Sequence, residues 1–474
     1  MTAIMIGGTS SSAGKSIVVA ALCRILSSMG YSVAPFKAQN MSLNSYVTKD
    51  GKEIAIAQAF QAKAAGIEPD VLMNPVLLKP KGNFVSQLVV LGEAVKDISA
   101  VDYYKEIPWV IEKVRYAFEK LEEEYDVVII EGAGGMAEIN LYDRDIANIG
   151  IARIAKPDIY IVGDIDRGGV FSSLYGTYKL LPGDVAARVK GFIINRLRGY
   201  ESLLKNGIEE LEKLTTIPVL GVIPYINGAM PSEDSLSIEE WNDDNALIGV
   251  IRLPRISNFT DFEPLRFAGV EFVPLNGDLD KYELVILPGT KDTIADLKAL
   301  RDAGMDEKIR KIAGKVPIIG ICGGYQMLGK ELVDRGVEHD WVRVKGLGLL
   351  DAVTTFDEFR KRTVQVEKEV TGDAVIIDMI KGEKVWGYEI HKGKTVASRP
   401  VFEDDGCSSE DGMVWGCYLH GLFTNRNVGK AVADFLGVGH REPEDGIEML
   451  ARIMMEKLNI EAILKNAGLD VSLG

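Results

Sequence analysis

The strongest limit on the fold comes from a series of short, mainly apolar runs, each followed by glycines or polar residues and then by a stretch of helical spacing. Ala3 to Ile6, Tyr31 to Phe36, Val127 to Ile130, Ile159 to Asp164, Val189 to Ile194 and Pro218 to Pro224 are such runs in the first half. A strand apolar on both faces has to be covered on both faces, and parallel sheets with right-handed crossover helices do this. The pattern restarts near Ala246 with Leu247 to Leu253, Leu284 to Leu287 and Pro317 to Ile321. The fold class is therefore α/β, with two layered domains and largely parallel sheets, expected over residues 1–235 and 246–474. Pro231 to Asp244, rich in Ser, Glu and Asp, is the expected boundary, and the helical end from Ile447 to Leu464 is assigned to the second domain.

The chain has 474 residues, which excludes a single small core, and its net charge of -15 argues against nucleic acid or an anionic membrane as partner. The cysteines Cys23, Cys322, Cys407 and Cys417 follow neither a disulfide nor a zinc spacing, which fits a reducing cytoplasm. There is no secretory leader pattern and no apolar run of spanning length, so a cytoplasmic location is expected. No repeat or low-complexity tract occurs.

Gly7-Gly8-Thr9-Ser10-Ser11-Ser12-Ala13-Gly14-Lys15-Ser16 lies between a strand and a helix, the context a phosphate cradle requires. Gly8, Ser12, Ala13, Gly14, Lys15 and Ser16 are expected to bind a nucleotide through backbone amides, the Lys15 ammonium and the Ser16 hydroxyl, the last also a magnesium ligand. Glu131 ends the apolar strand Val127 to Ile130 beside Gly132 and Gly134, placed to hold magnesium opposite Ser16. Asn195 closes a later strand, where an amide can reach the edge of a purine. Lys37 to Ser45 leaves the end of a strand and is a candidate substrate loop, with Gln39, Asn40, Ser42 and Asn44 as contacts.

In the second half, Val316 to Met327 reads as a strand, a cramped turn at Gly323-Gly324 and the opening of a helix from Tyr325 to Leu332. Such a turn aims Cys322 away from the sheet and towards the positive end of a helix, although it also suits a small buried residue. His420, after the apolar run Met413 to Tyr418 and before Gly421, is the preferred base. His391, which ends the strand Trp386 to His391, is a substrate contact or a structural residue; His339 and His440 sit in charged surroundings and are expected to be solvated. The backbone amides of Gly289 and Gly323 are candidates for an oxyanion hole, and Gln326, one helical turn past the cysteine, for orienting the substrate. Gly346 to Leu350 is expected to be a short strand.

The Cys322 and His420 segments resemble class I glutamine amidotransferases, although the acid usual two residues after the histidine is replaced by Leu422, as it is in the cobyrinic acid amidases. The first half resembles dethiobiotin synthetase, and that resemblance adds Glu53 to Ser16 and Glu131 as a magnesium set. Ala34 to Ser45, Asp164 to Phe171, Arg255 to Phe262 and Gly387 to His391 resemble the cobyric acid synthase family. The resemblance covers nearly the whole chain. It implies a P-loop ATP domain and a glutamine amidotransferase domain, with ATP and Mg2+ as cofactors and glutamine and a corrinoid as substrates. The implied reaction is amidation of the b, d, e and g carboxylates of adenosylcobyrinic acid a,c-diamide. The a,c-diamide synthase is the nearest alternative, and a non-enzymatic P-loop switch protein a more distant one.

Overall fold

The computed structural model describes residues 2–82, 84–226, 245–357, 361–440 and 445–470. The boundary expected at Pro231 to Asp244 lies wholly in 227–244, outside the described residues. Two compact units are present. One contains the chain up to Ser42, the run from Glu53 to 226, and 445–470; the other contains Leu43–Lys52 and 245–440.

The first unit is built on a six-stranded parallel sheet in the order Val219–Pro224, Val189–Leu197, Asp158–Asp164, Thr2–Gly8, Val127–Glu131, Val33–Phe36. Its register puts Ile6 opposite Glu131, so the carboxylate leaves the sheet one step before the phosphate loop. The helix Lys15–Ser28 covers one face, with Val18, Leu22 and Ile25 in the core. A smaller sheet pairs Gln39–Met41 in parallel with Val76–Gly82, which continues through Val85–Val90 to Glu93–Ser99. The expected substrate loop is thus partly a strand. The helix that follows runs Ala100–Glu124, capped by Ser99, whose side chain accepts from the Asp102 amide. Pro108, inside the helix, hides this start from a reading that follows the hydrophobic spacing of Val110 to Glu124.

Two assignments made from the sequence are corrected by this division. The closing helices Gly446–Lys457 and Ile460–Asn466 belong to the first unit, where Leu450, Met454 and Leu464 join the core formed by Val18, Leu22 and Ile25. Gly221 makes the approach possible, since a β-carbon there would lie 2.1 Å from the Lys457 carbonyl oxygen. Conversely, Leu43–Lys52 lies in the second unit. Gln365 donates to the Val47 carbonyl at 2.7 Å, and the Tyr46 ring packs 5.4 Å from that of Tyr388. Both are contacts between distant stretches of chain, which no local pattern carries.

The second unit has a sheet in the order Val270–Val273, Ile248–Ile251, Leu284–Leu287, Ile318–Ile321, Val414–Cys417, Cys407–Ser408, parallel except for its last pair. Beside it are a four-stranded sheet and the hairpin Arg362–Glu369 with Lys384–His391. The helix after Cys322 is only Gly323–Leu328, because Glu331–Asp334 turns into a strand. Gly346 to Leu350 is a turn, not a strand: the Leu347 amide donates to the Met327 carbonyl at 2.7 Å and caps that helix end. Among the described residues, no helix is long and apolar enough to cross a membrane.

Candidate active sites

In the first unit the phosphate loop needs two residues with positive φ, Ser12 at 58° and Gly14 at 100°. At Gly14 no side chain is tolerated, since a β-carbon would lie 1.9 Å from the Asn195 amide nitrogen. That proximity changes the reading of Asn195. Its Nδ2 donates to the Ala13 carbonyl at 2.8 Å, so the amide clamps the loop, while its buried Oδ1 accepts no hydrogen bond among the described residues. Lys15 curls over the loop and donates to the carbonyls of Ser10 at 3.0 Å and Gly134 at 2.9 Å. Gly8 lies against that lysine, a β-carbon there falling 3.0 Å from its Nζ.

Glu131 is fully buried, and the Ser16 hydroxyl donates to it at 2.9 Å. Burial raises the carboxyl pKa, but the Lys37 ammonium at 2.7 Å, the Gln61 amide and Lys15 outweigh burial and hold the carboxyl below its ordinary range. Ser16 and Glu131 therefore place a hydroxyl oxygen beside a carboxylate, oxygen donors of the kind magnesium takes. Glu53, expected with them, is buried and held by Lys79.

The sequence reading missed Lys37, Gln58 and Gln61 as site residues. Gln58 and Gln61 are wholly buried on the helix Ile56–Ala64, and Asn40 donates to Gln58 at 3.0 Å, so polar side chains connect Asn40 to Glu131. Two glutamines on the apolar face of an alanine-rich helix were the available sign. Gln39 accepts from the Tyr103 hydroxyl, and Ser42 donates its amide to the Leu78 carbonyl at 3.1 Å. Asn44, by contrast, is buried in the second unit, so the four expected substrate contacts are divided between the units.

In the second unit the strand Ile318–Ile321 ends at Cys322, which has φ 52° and ψ -108°. This sparsely populated conformation for a side-chain-bearing residue is the kink that turns the thiol out of the sheet. The Cys322 amide is tied to the Cys417 carbonyl at 2.8 Å, and its Sγ lies 3.7 Å from the Ile390 carbonyl oxygen. Cys322 acts electrostatically on the His420 ring at close range, so the two residues expected to act together do meet. Gly289 and Gly323 converge on them: β-carbons would lie 3.0 Å from His420 Cε1 and 3.1 Å from the Thr290 nitrogen, respectively.

The other imidazole nitrogen of His420, Nδ1, lies 2.6 Å from Asp261 Oδ2, and both residues are buried. Burial lowers the pKa of His420, but the charges of Asp261 and Cys322 and its hydrogen bond to Asp261 raise it to about 10. Tyr388 stacks on the ring at 5.5 Å and exchanges backbone hydrogen bonds with His420 at 3.0 and 2.9 Å. Gln326 is buried, with Oε1 accepting from Thr293 at 2.8 Å and Nε2 donating to the Lys392 carbonyl at 3.0 Å and the Tyr418 hydroxyl at 3.1 Å. Both its amide hydrogens are thus used within the chain.

Among the remaining histidines, His391 stacks on Tyr418 at 3.6 Å and faces Glu389 at 3.4 Å, a packing arrangement. His339 was expected to be solvated but is half-buried, 2.9 Å from Asp292, and His440 packs on the Phe267 ring. Cys23, Cys407 and Cys417 are buried, and burial pushes their thiols up.

A P-loop unit with a buried carboxylate and a unit with a cysteine elbow and histidine define, in one chain, a glutamine-dependent amidoligase. Residues 4–235 match the family model described as the CobQ/CobB/MinD/ParA nucleotide binding domain, and residues 247–428 match the CobB/CobQ-like glutamine amidotransferase domain. A protein of Archaeoglobus fulgidus described as probable cobyric acid synthase is 65% identical over 97% of this chain and 99% of its own. Proteins of the same description from Methanococcoides burtonii and Methanosarcina mazei are each 54% identical over 98% of this chain, and over 97% and 99% of their own. The chain belongs to the cobyric acid synthase family.

Proposed function

We propose that the protein amidates the b, d, e and g carboxylates of adenosylcobyrinic acid a,c-diamide, using ATP to activate each carboxylate and glutamine as the nitrogen source. The observation that carries this reading is the presence, in one chain, of Lys15, Ser16 and Glu131 around a phosphate loop and of Cys322 with His420 at an elbow. ATP would be held by Gly8, Ser12, Ala13, Gly14, Lys15 and Ser16, with the buried Asn195 Oδ1 offering an acceptor to the base. Ser16 and Glu131, with Glu53 as the third residue of the expected set, would hold magnesium, which when bound neutralises charge on the phosphates. Lys15 stabilises the phosphoryl group as it passes to the substrate carboxylate. Gln39, Asn40, Ser42 and Asn44 contact the corrinoid.

In the second unit Cys322 attacks the glutamine side-chain amide while the Gly289 and Gly323 amides receive the developing oxyanion. His420 protonates the departing ammonia and then draws a proton from the water that releases glutamate. Gln326 acts by fixing the Lys392 and Tyr418 positions around the glutamine. Ammonia then displaces phosphate from the activated carboxylate.

The test is incubation with glutamine, ATP, magnesium and adenosylcobyrinic acid a,c-diamide, with the corrinoid followed by mass spectrometry. Four successive carboxylate-to-amide conversions are expected. Conversion of only the unamidated corrinoid, at two positions, would instead assign the a,c-diamide reaction. Cys322→Ala should abolish use of glutamine and leave amidation with free ammonia; loss of both would refute separate centres for the two half-reactions.

A further inference from the structure

Position 422, where related amidotransferases carry the acid that serves the histidine, is a leucine whose side chain is buried in the core of the second unit. We propose that Asp261 takes that part, acting as the positioning residue that holds His420 in the tautomer and orientation needed for glutamine hydrolysis. The assignment deepens the proposed reaction, since it rests on Cys322 and His420 as its nucleophile and base.

The geometry is that of a carboxylate committed to one imidazole edge. Asp261 Oδ2 faces His420 Nδ1 at 2.6 Å, and its Oδ1 accepts from the Gly421 amide at 3.0 Å. Both carboxylate oxygens are thus directed at the same two-residue stretch. With Nδ1–H donated to Asp261, Nε2 is the edge left for Cys322, where the raised basicity of the ring lets it take up and hold the thiol proton.

Asp261 is fixed from its own side as well. It lies in the 3-10 helix Phe259–Ala268, where Phe259, Phe262 and Leu265 recur every third residue and are buried. That spacing matches the three-residue turn and leaves Asp261 on a different face. Phe262 packs on Phe423 at 6.1 Å and on Phe272 at 6.3 Å, anchoring the helix to the segment that follows His420. Asn258 starts the helix in the left-handed conformation, φ 52°, and its carbonyl accepts from the Asp261 amide at 3.0 Å. Its side chain donates to the Ser45 carbonyl at 3.3 Å and to the Tyr388 hydroxyl at 3.2 Å.

The titratable groups facing His420 are Asp261, Cys322 and Tyr388. In the reaction, Nε2 already holds the Cys322 proton when the sulfur bonds to the amide carbon. The carbon–nitrogen bond then breaks as Nε2 gives that proton to the leaving nitrogen, yielding ammonia and a thioester. Water gives a proton to Nε2 as its oxygen attacks the thioester, and the carbon–sulfur bond breaks to release glutamate, leaving the sulfur beside the reprotonated ring. Asp261 remains a carboxylate throughout and stabilises the imidazolium.

Asp261→Asn and Asp261→Glu, made in the full chain, test this assignment. The asparagine amide offers Nδ1 a donor or a weaker acceptor, so kcat for glutamine hydrolysis should fall on the order of 10²- to 10⁴-fold. KM for glutamine and amidation driven by free ammonia should be kept, and glutamate should restore part of kcat. NMR titration of the histidines, of which the chain has four, supplies the decisive readout. In Asp261→Asn the His420 titration should move down towards the ordinary imidazole range while His339, His391 and His440 stay in place. An unchanged kcat, an equal loss with glutamine and ammonia, or a loss of kcat with no movement of His420 would overturn the assignment. If the asparagine variant does not fold, the His420 titration in folded Asp261→Glu decides, an unmoved value with reduced kcat being the negative result. Should the unaltered protein fail to hydrolyse glutamine, the proposed reaction fails, and the His420 titration still reports whether Asp261 sets the state of that histidine.

Discussion

Both sites follow the same local plan, a parallel strand and then a residue with positive φ just ahead of a helix, yet they use it differently. After Thr2–Gly8 the chain spreads its turn over a long loop before the helix Lys15–Ser28, presenting several backbone amides and one ammonium. After Ile318–Ile321 the turn is a single residue, Cys322, and the helix Gly323–Leu328 is little more than one turn. A wide loop surrounds an extended polyanion; a sharp kink exposes one nucleophilic atom. The buried charges differ accordingly. In the first unit Lys37 balances Glu131 directly, whereas in the second Asp261 acts on the thiol only through His420.

The comparison predicts that each site can be disabled separately. Lys15→Ala should lower amidation on the order of 10²- to 10³-fold with either glutamine or ammonia, since it removes a charge that acts on the transferred phosphoryl group. Glutamine hydrolysis without ATP should be unchanged; a parallel loss would show that the two sites are not separable.

Lys37→Met leaves the Glu131 carboxylate buried without its nearest cation, at a cost of about 3 kcal/mol in denaturant unfolding. Adding Glu131→Gln to that variant should restore much of the loss, although the double variant would lack the anionic ligand and remain inactive.

The second unit should show its own acid limit. Burial pushes the Glu389 carboxyl up, but the His391 hydrogen bond, Lys368 and Arg362 together bring it to about 2, from an ordinary value of 4.5. A carboxyl depressed on folding contributes stability that is complete above its unfolded pKa and is lost as pH falls through its folded one. Unfolding midpoints should therefore drop between about pH 4.5 and 2, and Glu389→Gln should flatten that slope. An unchanged slope would refute the assignment.

The smallest effect is expected at Ser12, exposed and at φ 58° in the phosphate loop. Asparagine tolerates that region better than serine, so Ser12→Asn should stabilise the fold by at most about 1 kcal/mol, read as a small rise in the thermal midpoint.

The legible parts of these sites share a physical property: they are local. Glu131 could be placed beside Ser16 because both leave adjacent strand ends, and Cys322 could be placed at an elbow because strand, glycine turn and helix are consecutive. Asn195 was legible as a strand-end residue near the loop, but not its hydrogen bond to Ala13. Asp261 could not be paired with His420, from which it is separated by 159 positions. Its only local sign was an acid between Phe259 and Phe262, in a segment whose apolar residues recur every third position.

By itself the sequence determined two α/β sheets, a phosphate loop and a cysteine elbow, because apolar strand runs, glycine turns and helix starts act over a few residues. Only the tertiary structure decided that 445–470 completes the first core, that Leu43–Lys52 belongs to the second unit, and that Asp261 meets His420. Those outcomes depend on which distant surfaces bury one another, a choice made by the packing of the whole chain and not by any stretch within it.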